Sequence, residues 1–209
     1  MRQIIDVETW KRKEEFLFFK KFQSPLISVT VEVDCTVAVQ KAKDMGIPVS
    51  RYYLHAALVA VNRVEEFRYR WEEGQIVLYD RVDLFTPVLS VFESYRSVIL
   101  PYCENLEDFL KEAGPVMEKA KRGEGRAHGD SETRRDLVLI SVNPWYRFTS
   151  VQLGVPGNPH SGFPIFTFGK LTFENEKWVM PVALSVNHGF IDGFHIGRFL
   201  NEFQQMLDR

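Results

Sequence analysis

The chain has 209 residues, 45% of them hydrophobic, and its 17 Phe and 4 Trp supply enough apolar volume for one domain, 1–209, with a substantial core. A formal net charge of −2 leaves no basic excess of the kind nucleic-acid binding requires, although a small anionic ligand needs only a local basic patch. No apolar run reaches the ~20 residues of a membrane span, and Met1–Asp6 do not open a signal peptide, so the expectation is a soluble, cytoplasmic protein with no membrane partner.

In chain order, residues 6–21 suggest a helix with Thr9 as a cap, its charges crowded ahead of Phe16, Phe18 and Phe19. Residues 27–35 alternate as a strand, with Ile27, Val29, Val31 and Val33 on one face. Cys35 and Cys103 are far apart and outside any CxxC pattern, which suits two reduced thiols. Thr36 is the expected cap of a short helix ending near Gly46, and Ser50 opens an amphipathic helix carrying Tyr53, Ala56, Ala57, Ala60, Val61 and Val64 at helical spacing. Strands near 67–71 and 75–79 pair across Glu72-Glu73-Gly74, and another strand spans 84–92. A helix begins at Asn105 and is expected to kink at Pro115. The polar run Lys121-Arg122-Gly123-Glu124-Gly125-Arg126 reads as a mobile loop. Residues 136–143 form a strand, 163–173 and 178–187 a hairpin, and a last helix follows Gly193. Helices and strands are interspersed without strict β-α alternation, which implies an α/β two-layer sandwich, a mixed sheet with helices packed on it.

The segment Ser185-Val186-Asn187-His188-Gly189-Phe190-Ile191-Asp192-Gly193-Phe194-His195 carries the clearest chemistry. A strand ends at His188, Gly189 and Gly193 give the turn its conformational freedom, and Asp192 sits where a helix would be capped. Three readings of these residues stand open. His188 is a fixed base able to take a proton from a hydroxyl near neutral pH, or a structural histidine beside a capping aspartate, or one ligand of a metal site with Asp192 and His195. No G-x-S-x-G elbow and no P-loop is present.

The same segment resembles the H-H-x-x-x-D-G signature of the chloramphenicol acetyltransferases and of the wider coenzyme A-dependent acyltransferases. Further blocks occur in family order along nearly the whole chain: Trp10-Lys11-Arg12-Lys13-Glu14-Glu15-Phe16, Glu66-Phe67-Arg68, Asn143-Pro144-Trp145, Phe148-Thr149-Ser150, Pro164-Ile165-Phe166-Thr167-Phe168-Gly169-Lys170, Met180-Pro181, and Asp192-Gly193-Phe194-His195-Ile196-Gly197-Arg198 with Asn201-Glu202. The resemblance implies that His188 is the general base in a direct attack on acetyl-CoA, the co-substrate, with no metal and no acyl-enzyme. It implies that Ser150 donates to the oxyanion and that Thr167 holds a water near the intermediate. Asp192 and Arg12 would form a buried ion pair that shapes the site. Lys170 would approach the phosphates of coenzyme A, and Phe19 and Ile27 would line the pocket of a small-molecule hydroxyl acceptor, chloramphenicol, so that the enzyme confers antibiotic resistance. The family forms homotrimers with active sites at subunit interfaces.

Departures from the pattern are Asn187 in place of the first signature His, Ile191 for Cys and Leu171 for Tyr, and a segment 119–135 unlike the family's. Asn187 is expected to point away from the chemistry, because neighbours on a strand face opposite sides. Besides acetylation of chloramphenicol, the same chemistry on another small hydroxyl or amine acceptor stands as an alternative, and a non-catalytic binding protein on the same scaffold as another.

Overall fold

A computed structural model describes residues 1–125, 127, 134–152, 154 and 158–209. In chain order its elements are β1 (Arg2–Ile5), α1 (Lys13–Phe19), β2 (Leu26–Asp34), α2 (Thr36–Asp44), α3 (Val49–Arg63), β3 (Tyr69–Glu72), β4 (Gln75–Tyr79), β5 (Asp83–Leu89), β6 (Tyr95–Leu100), α4 (Leu106–Lys121), β7 (Leu137–Val142), β8 (Ile165–Phe168), β9 (Thr172–Glu174), β10 (Lys177–Asn187) and α5 (Gly193–Leu207), with short 3₁₀ turns at Glu65–Arg68 and Pro159–Ser161. The main sheet runs β2-β10-β8-β7-β5-β6, with β9 beside the start of β10. β7 is parallel to both β8 and β5, and the other pairings are antiparallel, so the sheet is mixed. A smaller antiparallel sheet runs β1-β4-β3.

Side-chain alternation assigns the two faces of the main sheet. Val138, Ile140, Phe166, Phe168, Val182, Leu184 and Val186 all point to the helical layer and are buried. There Phe166 meets Phe199 at 5.0 Å, Phe168 meets Phe203 at 5.6 Å, and Tyr53 closes on Phe168 at 5.6 Å, so α3 and α5 pack on the sheet through aromatic pairs. The opposite face carries small and polar residues in one row, Thr30, Ala183, Thr167 and Ser141. Beside that row the Ser28 and Ser185 hydroxyls lie 2.7 Å apart. One face therefore holds the core, and the other is chemically fit to meet something polar.

Arg70 ties the small sheet to the large one. It is 1% exposed, and its guanidinium donates to the carbonyls of Phe67, Tyr69, Leu137, Gly162 and Arg135 at 2.7–3.2 Å. Burial pulls its pKa down to about 10, which still leaves it charged near neutrality. Gly162 is required beside it. Its φ is +77°, and a Cβ there would lie 2.9 Å from the Tyr69 carbonyl oxygen and 2.6 Å from the Phe190 ring.

Several local expectations are corrected. The helix expected over 6–21 shrinks to Lys13–Phe19, because Asp6 folds back to accept the Glu8 N–H and the chain turns through residues 7–9. Thr36 does not cap α2; Cys35 occupies the cap position without a side-chain bond, and Thr36 Oγ1 accepts the Trp178 N–H at 3.0 Å. The strand expected over 84–92 stops at Leu89, where Ser90 N–H bonds the Ser94 carbonyl in a turn. α4 starts where expected, with Asn105 Oδ1 accepting from the Glu107 and Asp108 N–H groups, and holds Pro115 within its run to Lys121. Of the loop expected over 121–126, Arg126 lies outside the described residues. Among the described residues no helix is long and apolar enough to cross a membrane. Cys35 and Cys103 are free thiols, and burial pushes that of Cys35 up to about 12.

Candidate active site

α1 positions the first half of the site. Arg12, Phe16 and Phe19 are spaced i, i+4, i+7, which aligns them on one helical face. Phe16 is buried and stacks on Phe190 at 5.5 Å, which docks the helix against the turn that follows β10. Gly189 permits that approach, since a Cβ there would sit 3.3 Å from the Phe16 ring and 3.1 Å from Asn187 Oδ1. Neither Gly189 nor Gly193 has a positive φ, so close packing rather than conformational freedom explains Gly189.

His188 follows the last residue of β10 and is partly buried. Its N–H donates to the Pro25 carbonyl at 2.8 Å, and its ring lies parallel to Phe19, with centroids 4.1 Å apart and planes 12° apart. The imidazole is thus fixed by its main chain on one side and by an aromatic face on the other. Its Nδ1 is buried and has no hydrogen-bond partner among the described residues. Ile27 pairs with Val186, two residues before His188, shares its face and packs against the core.

Arg12 is buried, and its Nη1 donates to Asp192 Oδ2 at 2.9 Å, while Nη2 reaches the His188 carbonyl at 3.5 Å. Asp192 Oδ1 caps α5, accepting the Phe194 and His195 N–H groups at 3.0 and 3.3 Å. Burial pushes the Asp192 carboxyl up, but Arg12 and the His195 N–H outweigh it, and its pKa lies below the ordinary carboxylate value. Asn187 is buried and bonded at both ends of its amide: Nδ2 donates to the His160 carbonyl at 3.0 Å, and Oδ1 accepts the Gly189 N–H at 2.8 Å. It braces the turn that carries His188.

Ser150, Thr167 and Lys170 belong to a different part of the chain. Thr167 is buried opposite Ala183, five residues from His188, so the two sit roughly 17 Å apart along the sheet at ~3.4 Å per residue. One chain does not bring His188 and Thr167 together. Ser150 is exposed at the end of a stretch fastened over the sheet. Asn143 N–H bonds the Phe168 carbonyl at 2.8 Å, Lys170 N–H bonds the Tyr146 carbonyl at 3.0 Å, Arg147 pairs with Glu32 and Glu174, and the Phe148 ring lies against the backbone of Gly169. Lys170 is exposed two residues after the end of β8. The two ring nitrogens of His195 face Asp192 and Glu66, and no grouping of three ligand-type side chains fit for a metal occurs among the described residues.

Sequence reasoning missed Glu66 as a site residue. It is 2% exposed, and its Oε1 lies 3.3 Å from both Lys11 Nζ and His195 Nε2. No local signal marked it, since Glu66 stands beside a second carboxylate, Glu65, in Val64-Glu65-Glu66-Phe67.

Known proteins match this chain over almost its whole length. The family model for chloramphenicol acetyltransferase matches residues 2–204. A curated chloramphenicol acetyltransferase of Proteus mirabilis is 32% identical over 209 residues, covering 98% of this chain and 94% of that protein. A solved chloramphenicol acetyltransferase superposes with a TM-score of 0.93 at 35% identity, over 99% of this chain and all of the other. The dihydrolipoamide acetyltransferase of Azotobacter vinelandii shares the fold alone, with a TM-score of 0.68 at 18% identity over 93% of this chain and 85% of that one. The chain belongs to the chloramphenicol acetyltransferase family, a family of acyltransferases.

Proposed function

We propose that this chain transfers the acetyl group of acetyl-CoA to a hydroxyl of chloramphenicol, with His188 as the general base. The observation that carries the reading is the hold on His188: its main chain is bonded to Pro25 and its ring is stacked on Phe19 at 4.1 Å. With Nδ1 buried, Nε2 is the nitrogen left to exchange a proton with a bound molecule. It takes the hydroxyl proton as the oxygen attacks the thioester carbonyl carbon. The negative charge that develops on the carbonyl oxygen is met by the Ser150 hydroxyl, and a water on Thr167 lies nearby. As the C–S bond breaks, the sulfur leaves as the thiol, with the proton returned by His188. The thioester is already activated, so a base and an oxyanion donor are enough, and no metal is called for. Lys170, exposed just beyond the end of β8, is suited to the phosphates of acetyl-CoA, and Phe19 and Ile27 are suited to the ring of the acceptor.

The separation of His188 from Thr167 within one chain favours a shared site. We infer a homotrimer in which His188 of one subunit faces Ser150 and Thr167 of the next. The expected chemistry is tested by mixing protein, acetyl-CoA and chloramphenicol and following free thiol with a chromogenic disulfide. Thiol release that depends on chloramphenicol supports the proposal. Release with other alcohols or amines but not with chloramphenicol would move the assignment to another acceptor. Subunit sharing predicts that His188→Ala and Ser150→Ala proteins, unfolded together and refolded as mixed trimers, regain activity above that of either alone.

A further inference from the structure

Two carboxylates and four basic side chains form one network at the start of α5. Lys11 and Arg12, consecutive in the chain, each hold one carboxylate: Lys11 Nζ lies 3.3 Å from Glu66 Oε1, and Arg12 Nη1 lies 2.9 Å from Asp192 Oδ2. His195 stands between the two carboxylates. Its Nε2 is 3.3 Å from Glu66 Oε1, and its Nδ1 is 2.8 Å from Asp192 Oδ1 and accepts the Asp192 N–H at 3.2 Å. Arg198 approaches the other Glu66 oxygen at 3.7 Å. His195 is 7% exposed and Glu66 2%, so neither is a solvated surface group.

A nearly buried carboxylate is costly unless it is paired, and an apolar residue could have filled the Glu66 position. What the carboxylate supplies is an anchor point. With Nδ1 accepting a main-chain N–H, the ring presents its Nε2–H to Glu66. The ring thereby fixes the main chain at Asp192, whose carboxylate accepts the His195 main-chain N–H at 3.3 Å. The carboxylate in turn holds the Arg12 fork, whose second arm reaches the His188 carbonyl at 3.5 Å. We propose that His195 is a positioning residue for acetyl transfer: it fastens Asp192 to the buried Glu66 and so sets, through Arg12, the place of the main chain that carries His188. The inference rests on His188 being the base.

The test is steady-state kinetics on His195→Leu, His195→Asn and His195→Gln, each with its Tm. Misplacement of a catalytic group by about 1 Å can cost up to ~100-fold. His195→Leu is expected to lower kcat by about 10- to 100-fold while KM for chloramphenicol stays within about threefold, as for a loss confined to the transition state. His195→Asn retains an acceptor for the Asp192 N–H but cannot reach Glu66, and should fall nearly as far. His195→Gln can reach Glu66 with its amide N–H and should recover to within about threefold of wild type. In an Asp192→Asn background the His195→Leu change should cost less than about threefold more, because both then break the same chain of contacts.

A purely structural role predicts otherwise: Tm falls, but kcat per folded molecule stays within about threefold of wild type in all three variants. That outcome overturns the proposal, as does a loss that appears in KM alone or one undiminished by Asp192→Asn. Should His195→Leu fail to fold, His195→Asn and His195→Gln decide the matter, since equal activity in the two would overturn it. If instead His188→Ala keeps wild-type turnover, it is the base assignment that fails, whatever the His195 variants show.

Discussion

Asp192 carries two duties that substitution can separate. Its Oδ1 caps α5 and its Oδ2 accepts from Arg12, whose side chain is 8% exposed against 34% for the carboxylate. Breaking a fully buried pair costs ~3–5 kcal/mol and an exposed one under ~1 kcal/mol, so a pair with one buried and one part-open partner should lose about 2 kcal/mol. Loss of the cap adds about 1 kcal/mol. Asp192→Asn keeps the cap and loses the charge, at about 2 kcal/mol, whereas Asp192→Ala loses both, at about 3 kcal/mol. For a chain of this size, 1 kcal/mol moves Tm by roughly 2–4 °C, which gives losses of roughly 4–8 °C and 6–12 °C. Thermal unfolding at a fixed protein concentration measures both. The pH dependence has a defined sign. The folded pKa of Asp192 lies below its ordinary value, so the stabilisation is complete above the ordinary carboxylate range and is lost as pH falls through the folded value. The gap between wild type and Asp192→Asn should therefore be full at neutral pH and close in acid. Equal Tm losses for the two variants, a loss below about 2 °C for Asp192→Ala, or a gap that widens in acid would each refute the reasoning.

Arg70→Met keeps the volume but strands the carbonyls of Phe67, Tyr69, Leu137, Gly162 and Arg135, and chemical denaturation should show a loss of at least about 3 kcal/mol. Gly162→Ala places a Cβ 2.9 Å from the Tyr69 carbonyl oxygen at φ +77°, so its melting temperature should fall by several degrees, while an unchanged value would show that the turn relaxes freely. Phe19→Ala removes the face against which the His188 ring lies, and should lower kcat by about tenfold or more beyond any change in KM, since a freed imidazole samples unproductive orientations.

The main sheet is legible where its strands alternate over a buried face, as in Ile27 to Val33, and where Phe166 and Phe168 flank Thr167. β6 carries the same signal in Val98 and Leu100, both buried with Ile99 turned outward between them, but the segment is short and at the sheet edge. β1 has no such pattern. Three of its four residues are exposed, and it is a strand only because it pairs with β4 more than 70 residues on. Its formation is a non-local event that local periodicity cannot carry. At the candidate site, the Asp192 cap could be read from the residues, because a capping side chain acts on its own neighbours. Nothing in the spacing pairs Arg12 with Asp192, 180 residues away, and only the resemblance to a family joined them. The contact between Glu66 and His195 escaped both routes, since an ion network assembled from three elements has no one-dimensional signature. Asn187 shows how a substitution in a motif is absorbed: its amide bonds two backbone groups and braces the turn.

The most direct test of the account is the turnover of His188→Ala with saturating acetyl-CoA and chloramphenicol, measured beside wild type on protein with an unchanged circular dichroism spectrum. A general base contributes ~10²–10⁴-fold, so kcat should fall by at least about 100-fold while chloramphenicol still binds. A folded His188→Ala protein that turns over within about threefold of wild type would contradict the claim that this imidazole removes the proton.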